Sequence, residues 1–244
     1  MKPYFYDGTI TLYLADSMQG SEALPNADLI VADPPYGSTS LEWDRWPSGW
    51  PNRVSAFCRA MWVFGTVRQF VEHRDDFAGW TLSQDVVWEK HNGSGFHADR
   101  FRRIHESALH YYRGPWSDCY HDAQYENTAT KKTVRSKRRP AHTGYIERTP
   151  YESHDGGPKL QPSIIFASSM HGKAIHPTQK PLAILIPLIK YGCPLGGTVL
   201  DPFAGSGSTL MAARLCGRRA IGYEIREDYA EAAARWLSQM ELTA

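Results

Sequence analysis

Apolar positions along the chain fall in short runs, most of them closed by Asp, Gly or Pro. Thr9 to Leu14 has the β-branched and aromatic content of a strand and ends at Ala15-Asp16-Ser17. Asp28 to Ala32, with Leu29-Ile30-Val31 at its centre, is apolar enough for a strand buried on both faces of a parallel sheet. Ser38 to Pro51, carrying Trp43, Trp46 and Trp50, reads as an aromatic, proline-containing loop. A helix is expected over Asn52 to Ala60, then strands at Met61–Phe64, Gln84–Trp88 and Ala108–Tyr112, with a loop from Lys90 to Phe96. Regular structure resumes at Ser163-Ile164-Ile165-Phe166. A helix opens at Pro181, since proline suits the first helical position, and Pro187 inside it is a candidate kink. The last fifty residues predict strand, loop, helix, strand and helix: Thr198–Leu200, Ser208–Cys216 stopped by Gly217, Ala220–Glu224 and Asp228–Met240. The closing helix presents Tyr229, Ala233, Trp236, Leu237 and Met240 inward.

Between Arg113 and Pro162 periodicity fades, and Gly, Pro, Ser and Thr are scattered among basic residues. This segment reads as a partly mobile insertion without a core of its own. The expected architecture is one α/β domain in two halves, 1–112 and 163–244, interrupted by the insertion 113–162.

Composition changes this picture little: 42% hydrophobic and 22% charged residues are ordinary for a soluble globular chain. No apolar stretch has the length of a membrane span, and the N-terminus lacks the apolar core of a secretory signal, so a cytoplasmic protein with no membrane partner is expected. Cys58, Cys119, Cys193 and Cys216 are too dispersed for a disulfide framework or zinc site, and the ten histidines are scattered, so no metal is assigned. Net charge is only +1, yet Arg100 to Arg139 holds ten Lys/Arg against four Asp/Glu. One basic region facing phosphate, on an otherwise neutral or acidic chain, is the reading this asymmetry favours.

Two motifs carry the chemistry. Asp33-Pro34-Pro35-Tyr36-Gly37 follows the strand at residues 28–32, and Asp201-Pro202-Phe203-Ala204-Gly205-Ser206-Gly207-Ser208 follows the strand at 198–200. Loops at the carboxyl ends of strands are where open α/β sheets bind ligands. The first motif has the parts to hold an amino group on a flat base; the second can cradle a nucleoside. Gly205 and Gly207 allow a sharp turn and close approach to a ligand, and the Lys-Ser/Thr ending of a phosphate loop is absent. Glu224 lies 23 residues beyond Asp201 at the end of the next strand, near the spacing at which a carboxylate binds ribose hydroxyls.

With His176-Pro177-Thr178-Gln179-Lys180-Pro181 just ahead of the second motif, the chain resembles the β-class (permuted) S-adenosylmethionine-dependent DNA amino-methyltransferases, adenine-N6 type, over roughly Thr9 to Trp236. The resemblance implies a mostly parallel Rossmann-like methyltransferase sheet flanked by helices, in permuted order, with 1–112 the catalytic half, 113–162 the target-recognition insertion and 163–244 the cofactor half. It places Asp201, Pro202, Phe203, Gly205, Ser206 and Gly207 around the cofactor, with Glu224 on its ribose. Thr178, Gln179 and Lys180 flank it, Lys180 as a partner for its carboxylate, and Asp16 contacts its adenine, although Asp16 also reads as a helix cap. Asp33 borders both sites.

An exocyclic amine is a poor nucleophile because its lone pair is delocalised into the ring. Asp33 accepting one N–H and the carbonyl of Pro34 the other would favour a pyramidal nitrogen and stabilise the charge that develops there. Pro35 stiffens the loop and Tyr36 stacks on the base. The target must be flipped from the duplex. Asp at the first position fits adenine N6; cytosine-N4 enzymes more often carry Ser there, and cytosine-N4 transfer stays as the alternative. RNA or protein-amide methylation and a non-catalytic DNA-binding protein are the remaining readings. Cytosine-C5 transfer needs a nucleophilic thiol, and Cys193-Pro194 reverses the usual Pro-Cys order.

The stretch after Trp88-Glu89-Lys90, from Phe96 to Glu106, resembles a segment of phage and orphan members, and Arg100, Arg102 and Arg103 in it are candidate phosphate contacts. Lys131, Lys132, Arg135, Lys137, Arg138 and Arg139, six bases in nine residues without an acid, are the second candidate DNA contact. Double-stranded DNA is the expected partner. By resemblance the enzyme is a homodimer, and any restriction endonuclease is a separate chain.

Overall fold

The computed structural model describes residues 1–19, 24–37, 44–91, 99–134, 151–168 and 179–239 of the 244-residue chain. Its strands are β1 (Phe5–Tyr6), β2 (Ile10–Leu14), β3 (Leu29–Ala32), β4 (Ala60–Gly65), β5 (Thr81–Glu89), β6 (His105–Tyr112), β7 (Tyr125–Glu126), β8 (Lys132–Val134), β9 (Tyr151–Ser153), β10 (Lys159–Leu160), β11 (Ile164–Phe166), β12 (Thr198–Asp201) and β13 (Arg219–Glu224). Its α-helices are α1 (Trp50–Val54), α2 (Val67–Glu72), α3 (Leu182–Gly192), α4 (Ser208–Leu215) and α5 (Glu227–Gln239).

Nine strands form one sheet in the order β1-β2-β13-β12-β3-β4-β6-β5-β11. From β2 to β4 every pairing is parallel; β6 turns the sheet antiparallel against β4 and β5, and β11 returns parallel to β5. The mostly parallel, Rossmann-like α/β class expected from the sequence is the class observed. β12 inserts beside β3, pairing Val199 with Leu29 and Leu200 with Ile30. Two loops far apart in sequence therefore leave neighbouring parallel strands at the same edge of the sheet.

Alternation along β3 divides the core. Leu29 and Val31 face α3, α4 and α5, where Ile184, Leu188, Leu210, Ala233 and Leu237 pack; Ile30 and Ala32 face the opposite layer of Trp50, Val54, Phe77 and Trp80. All four β3 residues are buried, which is why the run carries no polar position. The helix layer lies close to the sheet at Gly222 of β13. A Cβ there would meet the Leu210 side chain at 2.8 Å and Ala204 at 3.0 Å.

Several elements depart from the sequence expectation. The helix expected over Asn52–Ala60 is α1, which begins two residues earlier and ends at Val54. Ala60 is claimed by the sheet instead, where it pairs with Tyr112. Trp50 and Pro51, read as loop, open that helix; Gly49 precedes it with φ +78°. α2 was not foreseen, although Thr66 and Gln69 form a reciprocal capping box that is legible as Thr-x-x-Gln. β5 and β6 extend beyond the expected strands because they pair with each other, with a register shift between Leu82 and Gln84. Pro181 caps α3 from outside, and the helix continues through Pro187. In α5 the buried positions are Ala230, Ala233 and Leu237, with Tyr229 and Trp236 half-buried; Met240 lies outside the described residues.

Residues Met1–Asp122 and Ser163–Ala244 form one compact unit, and Ala123–Pro162 forms another. Within the smaller unit, β7 pairs with β10 and β8 with β9 as short antiparallel ribbons, joined by hydrogen bonds between Ala129 and the turn at Gly156-Gly157. All four cysteines are free and buried. No helix among the described residues is long and apolar enough to cross a membrane.

Because β13 carries no side chain where α4 crosses it, Gly222→Ala should destabilise the larger unit by about 1–3 kcal/mol, the usual cost of overpacking a close-packed core. Urea denaturation followed by tryptophan fluorescence measures this; an unchanged midpoint would show that α4 shifts without cost.

Candidate active site

A cavity of about 430 Å³ opens at the carboxyl ends of β2, β3, β12 and β13. Its lining combines Asp16 and Ser17 after β2, Asp33 to Tyr36 after β3, Asp201 to Ser206 after β12, and Glu224 to Arg226 at the end of β13. Glu106 from β6, Lys180 from just before α3, and Asp44 also line it.

At one end the second motif is folded around Glu224. The N–H of Gly205 donates to Oε2 and that of Arg226 to Oε1, both at 2.8 Å. Burial pushes this carboxyl above its ordinary value against the pull of those amides. Asp201 accepts the N–H of Phe203 at 2.9 Å, and burial, offset by Thr209 and that amide and reinforced by Asp33 and Glu224, raises its carboxyl to about 7. Gly205 and Gly207 sit at φ +50° and +77°, and Gly207 precedes α4 where a Cβ would lie 3.2 Å from Ala233. Ser206 Oγ shares a hydrogen bond with Ser208 Oγ at 3.0 Å. The Phe203 ring packs edge-on against Trp50.

At the other end the first motif is held from several sides. The Tyr36 hydroxyl donates to Asp33 Oδ1 at 2.8 Å, and Lys180 Nζ donates to Oδ2 at 2.5 Å. Asp44 Oδ1 accepts the N–H groups of both Tyr36 and Gly37, at 2.6 and 2.8 Å, while Gln69 from α2 donates to the Tyr36 carbonyl. Burial raises the Asp33 carboxyl above its ordinary value, opposed by Lys180 and by the Tyr36 hydroxyl. Burial also opposes the Lys180 ammonium, but Asp33 and Glu106 outweigh it and keep the amine protonated. Glu106 is ionised too: burial raises it, and Lys180 and Lys90 pull it below the usual range. Tyr36 is pushed well above its ordinary value by burial, then by Asp33 and Glu106, so its hydroxyl remains a donor.

The cavity thus gathers Asp16, Asp33, Pro34, Pro35, Tyr36, Lys180, Asp201, Pro202, Phe203, Gly205, Ser206 and Glu224 from the sequence candidates. Lys180, expected beside the cofactor carboxylate, is paired with Asp33. Asp16 accepts the Met18 N–H at 2.8 Å, a local turn contact, while also lining the cavity. Gln179 is buried, and it and Gly207 stand outside the lining. Thr178, Arg135, Lys137, Arg138 and Arg139 lie outside the described residues. Arg100, Arg102, Arg103, Lys131 and Lys132 are all exposed, and Arg100 is forked onto Asp99. The sequence reading missed Asp44, Gln69, Ser17 and Glu106. Only Gln69 had a local signal, its capping box. Among the described residues the buried Ser17 Oγ has no hydrogen-bond partner, and Ser17 is one of the residues lining the cavity.

Comparison with known proteins identifies the family. A DNA methylase family model, covering enzymes of the N6 and N4 types, matches residues 27–235. The type II methyltransferase M.ScaI of Streptomyces caespitosus is 30% identical over 95% of this chain and 82% of its own. The chain belongs to the N6/N4 DNA methylase family. It is an S-adenosylmethionine-dependent DNA methyltransferase. The fold is shared with the M1.HpyAVI–SAM complex, at 24% identity, TM-score 0.60 and coverage of 93% of this chain and 99% of the other. It is shared also with the cytosine-N4-specific PvuII DNA methyltransferase, at 14% identity, TM-score 0.67 and coverage of 96% and 88%.

Loss of the loop clamp in Asp44→Ala should lower kcat/KM by about a hundredfold, the effect of a small misplacement of reacting groups. Asp44→Asn, which keeps an accepting oxygen, should recover most of it, and S-adenosylmethionine binding by calorimetry should change little in either. Asp201 supplies a second test. Its folded pKa near 7 exceeds the unfolded value, so the stability it contributes is full below the ordinary carboxyl range and is lost as pH rises through 7. Asp201→Asn, free of that loss, should match wild type near pH 4 and exceed it at pH 8 by about 1–4 kcal/mol in urea denaturation. An equal gap at both pH values would show that the carboxylate ionises normally.

Proposed function

We propose that the chain transfers a methyl group to adenine N6 of a flipped base in duplex DNA. The observation that supports this reading best is the half-buried Asp33 carboxylate, held on both oxygens just past the end of a strand next to the one that leads into the Gly205–Gly207 turn.

The cavity fits the cofactor. Glu224 is a buried carboxylate whose remaining lone pairs suit a ribose diol and would repel a phosphate. Asp16, Ser17 and Phe203 line the same cavity and offer it further polar groups and an aromatic face. When bound there, S-adenosylmethionine supplies the electrophilic methyl. The protein's part is to present the amine to it. Asp33 accepts one N–H and the Pro34 carbonyl the other, drawing the nitrogen lone pair out of conjugation, and the same acceptors stabilise the positive charge that forms. Tyr36 offers a stacking face, with its hydroxyl anchoring Asp33. Fixing the nitrogen relative to the methyl supplies much of the remaining acceleration.

Asp rather than Ser at position 33 supports adenine over cytosine. Cytosine N4 is the second reading: it is the specificity named for the PvuII enzyme, whose likeness carries the fold and not the base. Arg100, Arg102, Arg103 and the basic run from Lys131 to Arg139 are the proposed phosphate contacts, giving affinity and salt dependence rather than sequence reading. The proposed enzyme is a homodimer. Its relationship to a type II methyltransferase supports site-specific modification, with any endonuclease on a separate chain.

Single-molecule sequencing of DNA from cells expressing the chain should find N6-methyladenine at one short motif, absent with Asp33→Ala. N4-methylcytosine at a fixed motif would replace the adenine reading with the cytosine one.

A further inference from the structure

Within the adenine reading, Asp33 and the Pro34 carbonyl account for both amine protons and leave Lys180 without a task. A cation beside the carboxylate that must stabilise a developing positive charge opposes methyl transfer unless it has another use. Lys180 is also not a loosely held surface lysine. Its side chain is 7% exposed, and Nζ lies 2.5 Å from Asp33 Oδ2 and 3.6 Å from Glu106 Oε2. The Phe64, Tyr36 and Trp88 ring centroids surround it at 5.2, 5.8 and 5.9 Å. Glu106 is fixed in turn by Lys90 at 3.1 Å, and Lys90 lies 4.4 Å from the Trp88 ring centroid. Two carboxylates and two ammonium groups form a balanced cluster, and Asp33, Glu106 and Lys180 from it line the cavity.

We infer that Lys180 reads the target base: its ammonium donates a hydrogen bond to adenine N1, the ring nitrogen next to the reacting amine, while Asp33 accepts from the amine. The inference rests on the reading that Asp33 receives the target amine. Adenine carries N6 and N1 on a single carbon, one a donor and the other an acceptor. The adjoining Asp33 oxygen and Lys180 nitrogen are the complementary acceptor and donor, side by side. An ionised Asp can only accept and a Lys can only donate, so the pair has a fixed sense. Guanine presents the reverse pattern, a carbonyl next to a ring N–H, and would meet like against like at both positions. Thymine does the same. A hydrogen bond at N1 draws electron density into the ring, which favours selection over rate. Glu106, by sharing the charge of Lys180, limits that cost and acts as a positioning residue.

The test uses duplexes containing the recognition sequence found by sequencing, with the target adenine replaced by 1-deazaadenine or 7-deazaadenine. Single-turnover methylation is measured with wild type and Lys180→Met, and S-adenosylmethionine binding is measured by calorimetry. For wild type at subsaturating enzyme, loss of N1 should lower the single-turnover rate per enzyme concentration roughly ten- to a hundredfold, the effect of removing a hydrogen bond to a charged group from base capture. Loss of N7 should matter little. In Lys180→Met the two analogues should react alike, because the partner of N1 is already gone. The analogue comparison in wild type needs no variant and stands even if Lys180→Met folds poorly. Wild-type indifference to N1, or a variant that still discriminates, overturns the inference. An unchanged analogue pattern with weakened cofactor binding would return Lys180 to the cofactor carboxylate. A wild type that methylates cytosine and leaves adenine untouched refutes the adenine reading alone. In that case 3-deazacytosine replaces 1-deazaadenine, and the same dependence on Lys180 is required.

Discussion

The parallel pairing of β3 with β12 is the constraint on which the site depends. Asp33 directly follows one strand and Asp201 ends the other, and the register of Val199 with Leu29 and Leu200 with Ile30 fixes how the two loops face each other. Both strands are buried on each face, so a slip of one residue would send every side chain into the wrong layer. Gly192 of α3 lies so close to Leu29 that a Cβ would sit 2.8 Å from its side chain. Helix packing thus reinforces a registry that hydrogen bonding alone sets less firmly.

On this scaffold the cavity concentrates charge where water is scarce. Asp33, Glu106, Lys180 and Lys90 come from four segments of the chain and neutralise one another. Removal of one partner from a buried pair leaves the other uncompensated, which costs far more than the intact pair gains. Asp201 and Glu224 have no such cation in hydrogen-bonding reach among the described residues; they rely on backbone amides and, for Asp201, the Thr209 side chain, and are raised by burial. The two ends of one cavity are therefore electrostatically different: a balanced ion cluster at Asp33 and a pair of carboxylates steadied by dipoles at Asp201 and Glu224.

What could be read in advance follows from how local each signal is. β3, β12 and β13 are apolar runs ended by the residues that line the cavity, and both the strand and its purpose are visible in a few consecutive letters. α4 and α5 are likewise announced by their periodicity. Asp44 is a different case: its importance lies in two backbone amides of the Tyr36 loop, and nothing in the letters around it encodes that contact. Glu106 and Lys180 meet only because β6 runs antiparallel beside β4 and the segment before α3 returns to the same edge. The short α1 was misjudged for a related reason. Propensity would have carried the helix onward, but pairing with β6 takes Ala60 for the sheet.

The strand order also bears on how the chain reaches this structure during synthesis. β2 and β3 are made long before their parallel neighbours at the centre of the sheet, β13 and β12. Until those last segments emerge, β2 has only the two-residue β1 as a ladder neighbour, and one side of β3 lacks its partner. The nascent chain must therefore carry these apolar strands with one ladder edge open until β12 and β13 are made. Closure of the sheet, and with it the meeting of the Asp33 and Asp201 loops, waits until β12 and β13 have been made.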